Sequence, residues 1–271
     1  MSARVTGIIS FGLTTRNLLR LAAFYEDLGF TVGPHERVPE QEIALLGLTG
    51  GGTRVPLRLC NASVTLDCFE EPGREYPADA TAADLCFQHF ALVTSDAAAA
   101  WGRALRSGAT AISPHGPVRL PPEAGAVTAG KFRDPDGHPL EFLQFPPGAR
   151  NHWHGNGMLG IDHSAISVSD VDVSERFYGA LGLSVRSPTL NQGDTQAALD
   201  GLASPLVQVV PMLPPHPPPH LELLAYLVPT GRPAGAVRAN DLAGTRTVWA
   251  SDRDALLTDP DGHLHVLRKR R

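Results

Sequence analysis

The sequence predicts an α+β fold made of repeated βαβββ modules, three of them complete and the fourth degenerate. Two internal repeats and one recurring order of elements carry this prediction. Phe24-Tyr25-Glu26-Asp27-Leu28-Gly29-Phe30 returns as Phe177-Tyr178-Gly179-Ala180-Leu181-Gly182-Leu183, each time behind an apolar, strand-like stretch. Asp134-Pro135-Asp136-Gly137-His138 returns as Asp259-Pro260-Asp261-Gly262-His263. In both copies Pro and Gly supply the angles of a tight turn that runs into a strand.

Along the chain, module one opens with a strand over Ile8–Leu13 and a helical stretch over Thr15–Leu28. Module two repeats the order with Phe87–Thr94 and Asp96–Ser107, where an alanine-rich run sets Trp101 and Leu105 at helical spacing. Module three has its strand over Ile161–Val168 and its helix over Val171–Leu181. Module four starts near Thr245, and between Trp249 and Asp259 there is no room for a helix and crossover. The expected division is an N-terminal domain, 1–148, with modules one and two, a linker, 149–160, and a C-terminal domain, 161–271. The linker lies in a stretch from Pro146 to Gly160 rich in Pro, Gly, Asn and His.

The chain has 271 residues, 42% of them hydrophobic, which suffices for a packed core. Its net charge of −5 argues against nucleic acid as a partner, because phosphate binding needs clustered Lys and Arg. The basic run Arg268, Lys269, Arg270 and Arg271 reads as a solvated tail. No apolar stretch approaches the roughly 20 residues that span a bilayer. Met1 to Thr6 carries no apolar signal core. The expectation is a cytoplasmic protein with a small-molecule partner, no membrane partner, and a monomeric or homodimeric state. Cys60, Cys68 and Cys86 form no CxxC pair and read as buried free thiols.

Several segments resemble the vicinal-oxygen-chelate superfamily of glyoxalases, bleomycin-resistance proteins and extradiol dioxygenases. They are Phe87-Gln88-His89-Phe90-Ala91-Leu92-Val93, Phe132 to Phe142 around the first Asp-Pro-Asp-Gly-His turn, Gly160 to Val168, and Leu221-Glu222-Leu223-Leu224-Ala225-Tyr226. The resemblance covers nearly the whole chain. It implies two half-open mixed-sheet barrels, each closed by two modules, around one divalent metal ion. A module of this family offers a ligand from its first strand and often another from its last.

Carried over position by position, module two offers His89 and Glu141, and module three His163 and Glu222. Module one has Ser10 and Thr65 in those places and module four Thr247 and Val266, none of them a strong ligand. Strand alternation supports inward facing, since Phe87, His89, Ala91 and Val93 share a face, as do Ile161, His163, Ala165 and Ser167. Glu141 and Glu222 lie among apolar neighbours, where an unpaired carboxylate costs several kcal/mol as an order of magnitude. If modules two and three share a barrel, the site is His89, Glu141, His163 and Glu222. That set is similar to the ligands of glyoxalase I and methylmalonyl-CoA epimerase. If modules pair one with two and three with four, as in extradiol dioxygenases, each barrel keeps one His and one Glu. The losses in modules one and four favour the first pairing.

A mixed N/O set suits Fe²⁺, Mn²⁺, Co²⁺, Ni²⁺ or Zn²⁺. The first functional expectation is a metal-dependent lyase or isomerase that chelates neighbouring substrate oxygens, with Glu222 or Glu141 as general base. The second is a non-haem Fe²⁺ dioxygenase of extradiol type, and the third a metal-free drug-binding resistance protein. His138 and His263 read as structural parts of their turns. His265 would turn inward only on a one-residue register slip. His152 and His154 read as exposed linker residues. His216 and His220 fall at a proline run read as an extended loop. The loops Thr110–Gly125 and Ser187–Gln196 carry no decodable signature. No GxSxG or Cys/His dyad is present, so nucleophilic catalysis has no support.

Overall fold

The computed structural model describes residues 3–149 and 151–270, so Met1, Ser2, Arg150 of the linker and Arg271 of the basic run lie outside the described residues. Module one runs through β1 (Val5–Thr14), α1 (Leu18–Asp27), β2 (Thr31–Val32), β3 (Glu36–Arg37), α2 (Glu40–Leu45), β4 (Gly52–Leu59) and β5 (Ala62–Phe69). Module two has β6 (Gln88–Thr94), α3 (Ala97–Arg106), β7 (Thr110–Ala111), β8 (Val118–Arg119), a 3₁₀ turn (Pro122–Ala124), β9 (Thr128–Arg133) and β10 (Pro139–Gln144). Module three has β11 (Met158–Ser167), α4 (Val171–Leu181), β12 (Ser184–Val185), β13 (Thr189–Gln192), α5 (Gly193–Asp200), β14 (Leu206–Leu213) and β15 (His220–Val228). Module four keeps only β16 (Arg246–Ser251), β17 (Ala255–Thr258) and β18 (Leu264–Lys269).

The three long module helices start as their sequences dictate. Asn17, Asp96 and Asp170 are extended N-caps whose side chains accept the backbone N–H of Arg20, Ala99 and Val173. Such a cap contributes about 1 kcal/mol. On α3, Trp101 faces the core with Ala97, Ala100 and Ala104, while Leu105 is exposed, contrary to the expected pairing of Trp101 with Leu105.

Two mixed sheets result, and the modules pair two with three and one with four. In the first sheet β1 of module one runs antiparallel to β16 of module four. In the second, β6 of module two runs antiparallel to β11 of module three. Each sheet therefore draws on both sides of the linker. One face of each sheet is buried in a common core, where Phe11 of β1 stacks on Phe90 of β6 at 5.0 Å between ring centres. Helices α1, α3 and α4 complete that core with Leu21, Tyr25, Ala104 and Tyr178.

The repeated turns tie each half together across the two sheets. Asp134 Oδ1 accepts the N–H of Asp136 and His138, and Asp259 Oδ1 those of Asp261 and His263. The Tyr of the preceding module's helix reaches the same carboxylate: Tyr25 donates to Asp134 at 3.2 Å, and Tyr178 to Asp259 at 2.7 Å. Both internal repeats are thus two ends of one buried contact made twice.

The outer face of the first sheet is filled. Helix α2 packs Ile43 there against Phe69, Leu264 and Val266. Beside it Arg54 bridges Glu42 at 2.7 Å and Asp67 at 2.6 Å, and Arg246 joins Asp67 at 3.0 Å. One correction concerns the slot given to Thr247 in module four. Val248 is the register partner of Val266, as Ala165 is of Glu222, so the place equivalent to His163 falls two residues earlier, on Arg246; the Thr247 hydroxyl instead accepts from Gln88 Nε2 at 2.8 Å in the buried layer between the sheets. β16 therefore sits one residue out of the expected register.

Candidate metal centre

The outer face of the second sheet is where the four expected ligands meet, and the strand register explains how. Lys131 of β9, Glu141 of β10, Ala91 of β6, His163 of β11 and His220 of β15 are successive partners in one row. His89, Ala165 and Glu222 form the next row of β6, β11 and β15. Each row therefore has a small Ala between two long polar side chains. Ala91 and Ala165 leave open the space into which the ligand side chains lean, two from each module.

Their atoms converge. Nε2 of His89 lies 3.0 Å from Oε2 of Glu141. Nε2 of His163 lies 3.6 Å from the same oxygen and 3.7 Å from Oε2 of Glu222. Donor atoms held about 2.1 Å from a common ion are separated by roughly 3.0–3.4 Å, so these spacings are close to the edges of a coordination shell. His89, Glu141 and His163 each offer one atom within 4.8 Å of the others. All three are buried, whereas the Glu222 side chain keeps 20% exposure. The donor set, two imidazoles and two carboxylates, fits a divalent first-row ion.

Electrostatics bear out the strain of leaving these groups to themselves. Burial pushes Glu141 up, but His163, His89 and Lys131 more than offset it and hold the carboxyl well below its usual range. Burial pushes His163 down, yet Glu222, Asp162 and Glu141 carry it well above its usual value. Burial dominates at His89, which is lowered. A proton on His163 and a divalent cation are alternative ways of compensating the same carboxylates.

A second ring of contacts orients the first. Nδ1 of His163 pairs with Asp162 Oδ2 at 3.1 Å, which leaves Nε2 facing the two glutamates, as an outer carboxylate does for a metal-bound imidazole. Trp153 of the linker donates to Asp162 Oδ1 at 3.0 Å. His220 Nε2 lies 3.3 Å from Oε1 of Glu222, and its Nδ1 lies 3.1 Å from the Asp162 carbonyl. His220 thus belongs to the site: it opens β15 and does not lie in the extended proline loop expected of it. The usable signal was His220-Leu221-Glu222, since residues two apart share a strand face.

The same face holds a charge pair with no counterpart in the sequence reading. Lys131 Nζ lies 2.7 Å from Asp200 Oδ1 at the end of α5. Gln196 and Tyr226 donate to Asp200 Oδ2 at 2.7 and 2.9 Å. Lys131, Gln196 and Tyr226 line a cavity of about 280 Å³ together with the four expected ligands. Its remaining walls are mostly apolar, with Leu120, Val127, Leu143, Phe145, Val207 and Leu224. The loops without a signature supply its rim, through the 3₁₀ turn and β13.

The other candidates stand apart. His138 Nδ1 pairs with Asp134 at 2.7 Å and His263 Nε2 with the Ser167 carbonyl at 3.0 Å, both as turn braces. His265 is buried on the core side of β18, away from the outer face. His152, His154 and His216 are exposed. The thiols are free, but only Cys86 is buried; Cys68 is half-buried and Cys60 exposed, because it sits in the turn between β4 and β5. Among the described residues no helix is long and apolar enough to cross a membrane.

A sequence model of the Glyoxalase/Bleomycin resistance protein/Dioxygenase superfamily matches residues 7–142, about half of the chain. No curated protein matches it in sequence. Among solved structures, glyoxalase I from Zea mays is similar over 97% of this chain and 92% of its own, with a TM-score of 0.61 and 16% identity. A protein from Bacillus subtilis subsp. subtilis str. 168, described as a candidate dioxygenase, is similar over 97% of this chain and 85% of its own, with a TM-score of 0.60 and 13% identity. At these identities the likeness is one of fold.

Proposed function

The chain belongs to the glyoxalase/bleomycin resistance protein/dioxygenase superfamily, and from that premise we propose a metal-dependent lyase or isomerase that moves a proton on a small, oxygen-rich substrate. The observation that carries the reading is the convergence of His89, Glu141, His163 and Glu222 on one sheet face, two from each of two modules. His89, Glu141 and His163 hold the ion, with Glu222 as the fourth ligand. A divalent ion bound there polarises a substrate oxygen as a Lewis acid.

The two glutamates differ in a way that divides their roles. Glu141 is buried between two imidazoles and beside Lys131, so it cannot swing. Glu222 is partly exposed, faces the cavity, and has one oxygen toward His163 and the other toward His220. Glu222 is therefore the general base: it would leave the ion and take a proton from the carbon next to the substrate carbonyl, with His220 beside its other oxygen.

The test is deuterium incorporation. The metal-loaded protein is incubated in D₂O with small α-hydroxy ketones and 2-hydroxy acids, and NMR follows the carbon next to the carbonyl or carboxylate. Exchange that is lost in Glu222→Gln with metal retained supports the reading. No exchange with any of these compounds, together with O₂ uptake on catechols, overturns it. The second reading, an Fe²⁺ extradiol-type dioxygenase, is favoured by one observation: His89, Glu141 and His163 make a tight, fully buried two-histidine, one-carboxylate cluster, while the other such group among the described residues, Asp162, His163 and His220, shares His163 with it.

A further inference from the structure

We infer that Lys131 is a second anchor for the substrate, and that the substrate class carries an oxygen acceptor, a carboxylate or oxo group, beyond the vicinal oxygen pair. This rests on the proposed metal centre and adds to it the part of the cavity that the four ligands do not explain.

Lys131 is 3% exposed, which for an ammonium is tolerable only with partners. An ammonium has three N–H donors. Among the described residues Lys131 makes one hydrogen bond, to Asp200 Oδ1 at 2.7 Å. Its cross-strand neighbour is Glu141, and the face of Phe87 lies 5.9 Å away at the ring centre, where it accepts charge but not a directed hydrogen bond. Two donors of a buried cation are thus left over in a residue that lines the cavity.

Asp200 holds Lys131 in place through a single oxygen. Asp200 is buried, and its second oxygen is occupied by Gln196 and Tyr226, so it cannot turn both oxygens to the ammonium. Gln196 comes from α5 and Tyr226 from β15, so the clamp joins the cavity wall to the strand that carries Glu222. Lys131 is the register partner of Glu141, and cross-strand partners stand about 5 Å apart at Cβ. A substrate chelated at the metal centre therefore has Lys131 within reach of a further oxygen next to the chelating pair. The cavity, about 280 Å³ with mostly apolar walls, holds Lys131 beside the metal centre and fits a compact body whose oxygens reach both.

The test compares three probes by titration calorimetry on the Zn²⁺-loaded full chain: catechol, 2,3-dihydroxybenzoate and 3,4-dihydroxybenzoate. All three present the same oxygen pair, and the last two add one carboxylate at two distances. Zn²⁺ avoids redox chemistry on the probes. At least one dihydroxybenzoate is expected to bind tenfold or more tightly than catechol. In Lys131→Met that preference falls below twofold, and Lys131→Arg keeps part of it. Because Lys131→Met leaves Asp200 buried and unpaired, the double variant K131M/D200N, checked by circular dichroism, provides the same comparison with both charges removed. No preference in the wild-type protein, or a preference that survives in both Met variants, overturns the assignment. Zinc stoichiometry on the same samples separates the failures: absent zinc overturns the metal centre and this assignment with it, whereas bound zinc without a carboxylate preference overturns the role of Lys131 alone.

Discussion

The hydroxyl of Tyr178 lies 2.9 Å from Nε2 of His265, and the pair is the middle of a buried chain of four side chains. Trp249 Nε1 donates to His265 Nδ1 at 3.1 Å, and Tyr178 donates to Asp259 at 2.7 Å. The chain is self-consistent only with a neutral imidazole that carries its proton on Nε2. Protonation of Nδ1 would set it against the Trp249 N–H.

This fixes the sign of a pH effect on stability. Burial, with a smaller push from His263, lowers His265 to about 4 against the opposing pull of Asp259. Between the unfolded value of about 6.5 and the folded value, the unfolded chain binds a proton there and the folded chain does not. The stabilisation is complete above about 6.5 and is lost as pH falls toward 4, in an amount on the order of 3 kcal/mol. Urea unfolding across this range is expected to show a steeper acid loss in the wild-type protein than in His265→Gln. Equal slopes would remove His265 from the account.

Tyr178→Phe tests the same chain by deletion. It leaves Asp259 short of a donor and His265 short of an acceptor, both in a buried layer. The expected loss is about 1–3 kcal/mol in urea unfolding, the usual cost of stranding buried polar groups. A loss below about 0.5 kcal/mol would mean that water or a shift of His265 replaces the hydroxyl.

The division of labour between the glutamates predicts opposite failures. Glu141→Gln takes a buried carboxylate from between two imidazoles and is expected to abolish metal retention. Glu222→Gln is expected to keep most of the metal and to lower turnover by about 10²–10⁴, the range of general-base contributions. Metal content and turnover read together decide it. Equal metal loss in both variants would assign Glu222 a purely ligating role.

Much of this was legible in the sequence because it repeats. His89 and His163, and Glu141 and Glu222, occupy equivalent places in modules two and three, and strand alternation alone turns each pair to one face. The module pairing was legible from what modules one and four had lost, and the filled outer face of the first sheet, with α2 and the Arg54–Asp67–Arg246 bridges, shows where those positions went. Three things were not legible. His220 was masked by its prolines, although it is two residues from Glu222 on the same strand face. Thr247 lies one residue from the equivalent place, Arg246, because module four carries neither His nor Glu there to mark the row. Lys131 and Asp200 are 69 residues apart and come together only when α5, unforeseen in the Ser187–Gln196 region, closes over β9. Periodicity carries no record of such a pair.

Bound metal in the purified protein is the measurement to make first, by elemental mass spectrometry without chelator, on the wild-type chain, His89→Ala and His163→Ala. Near one equivalent of a first-row divalent ion in the wild-type protein, lost in both variants, is the predicted result, because one imidazole from each module serves a single site. A wild-type protein that holds no metal even after reconstitution, or a variant that keeps its full equivalent, would contradict a shared centre between modules two and three.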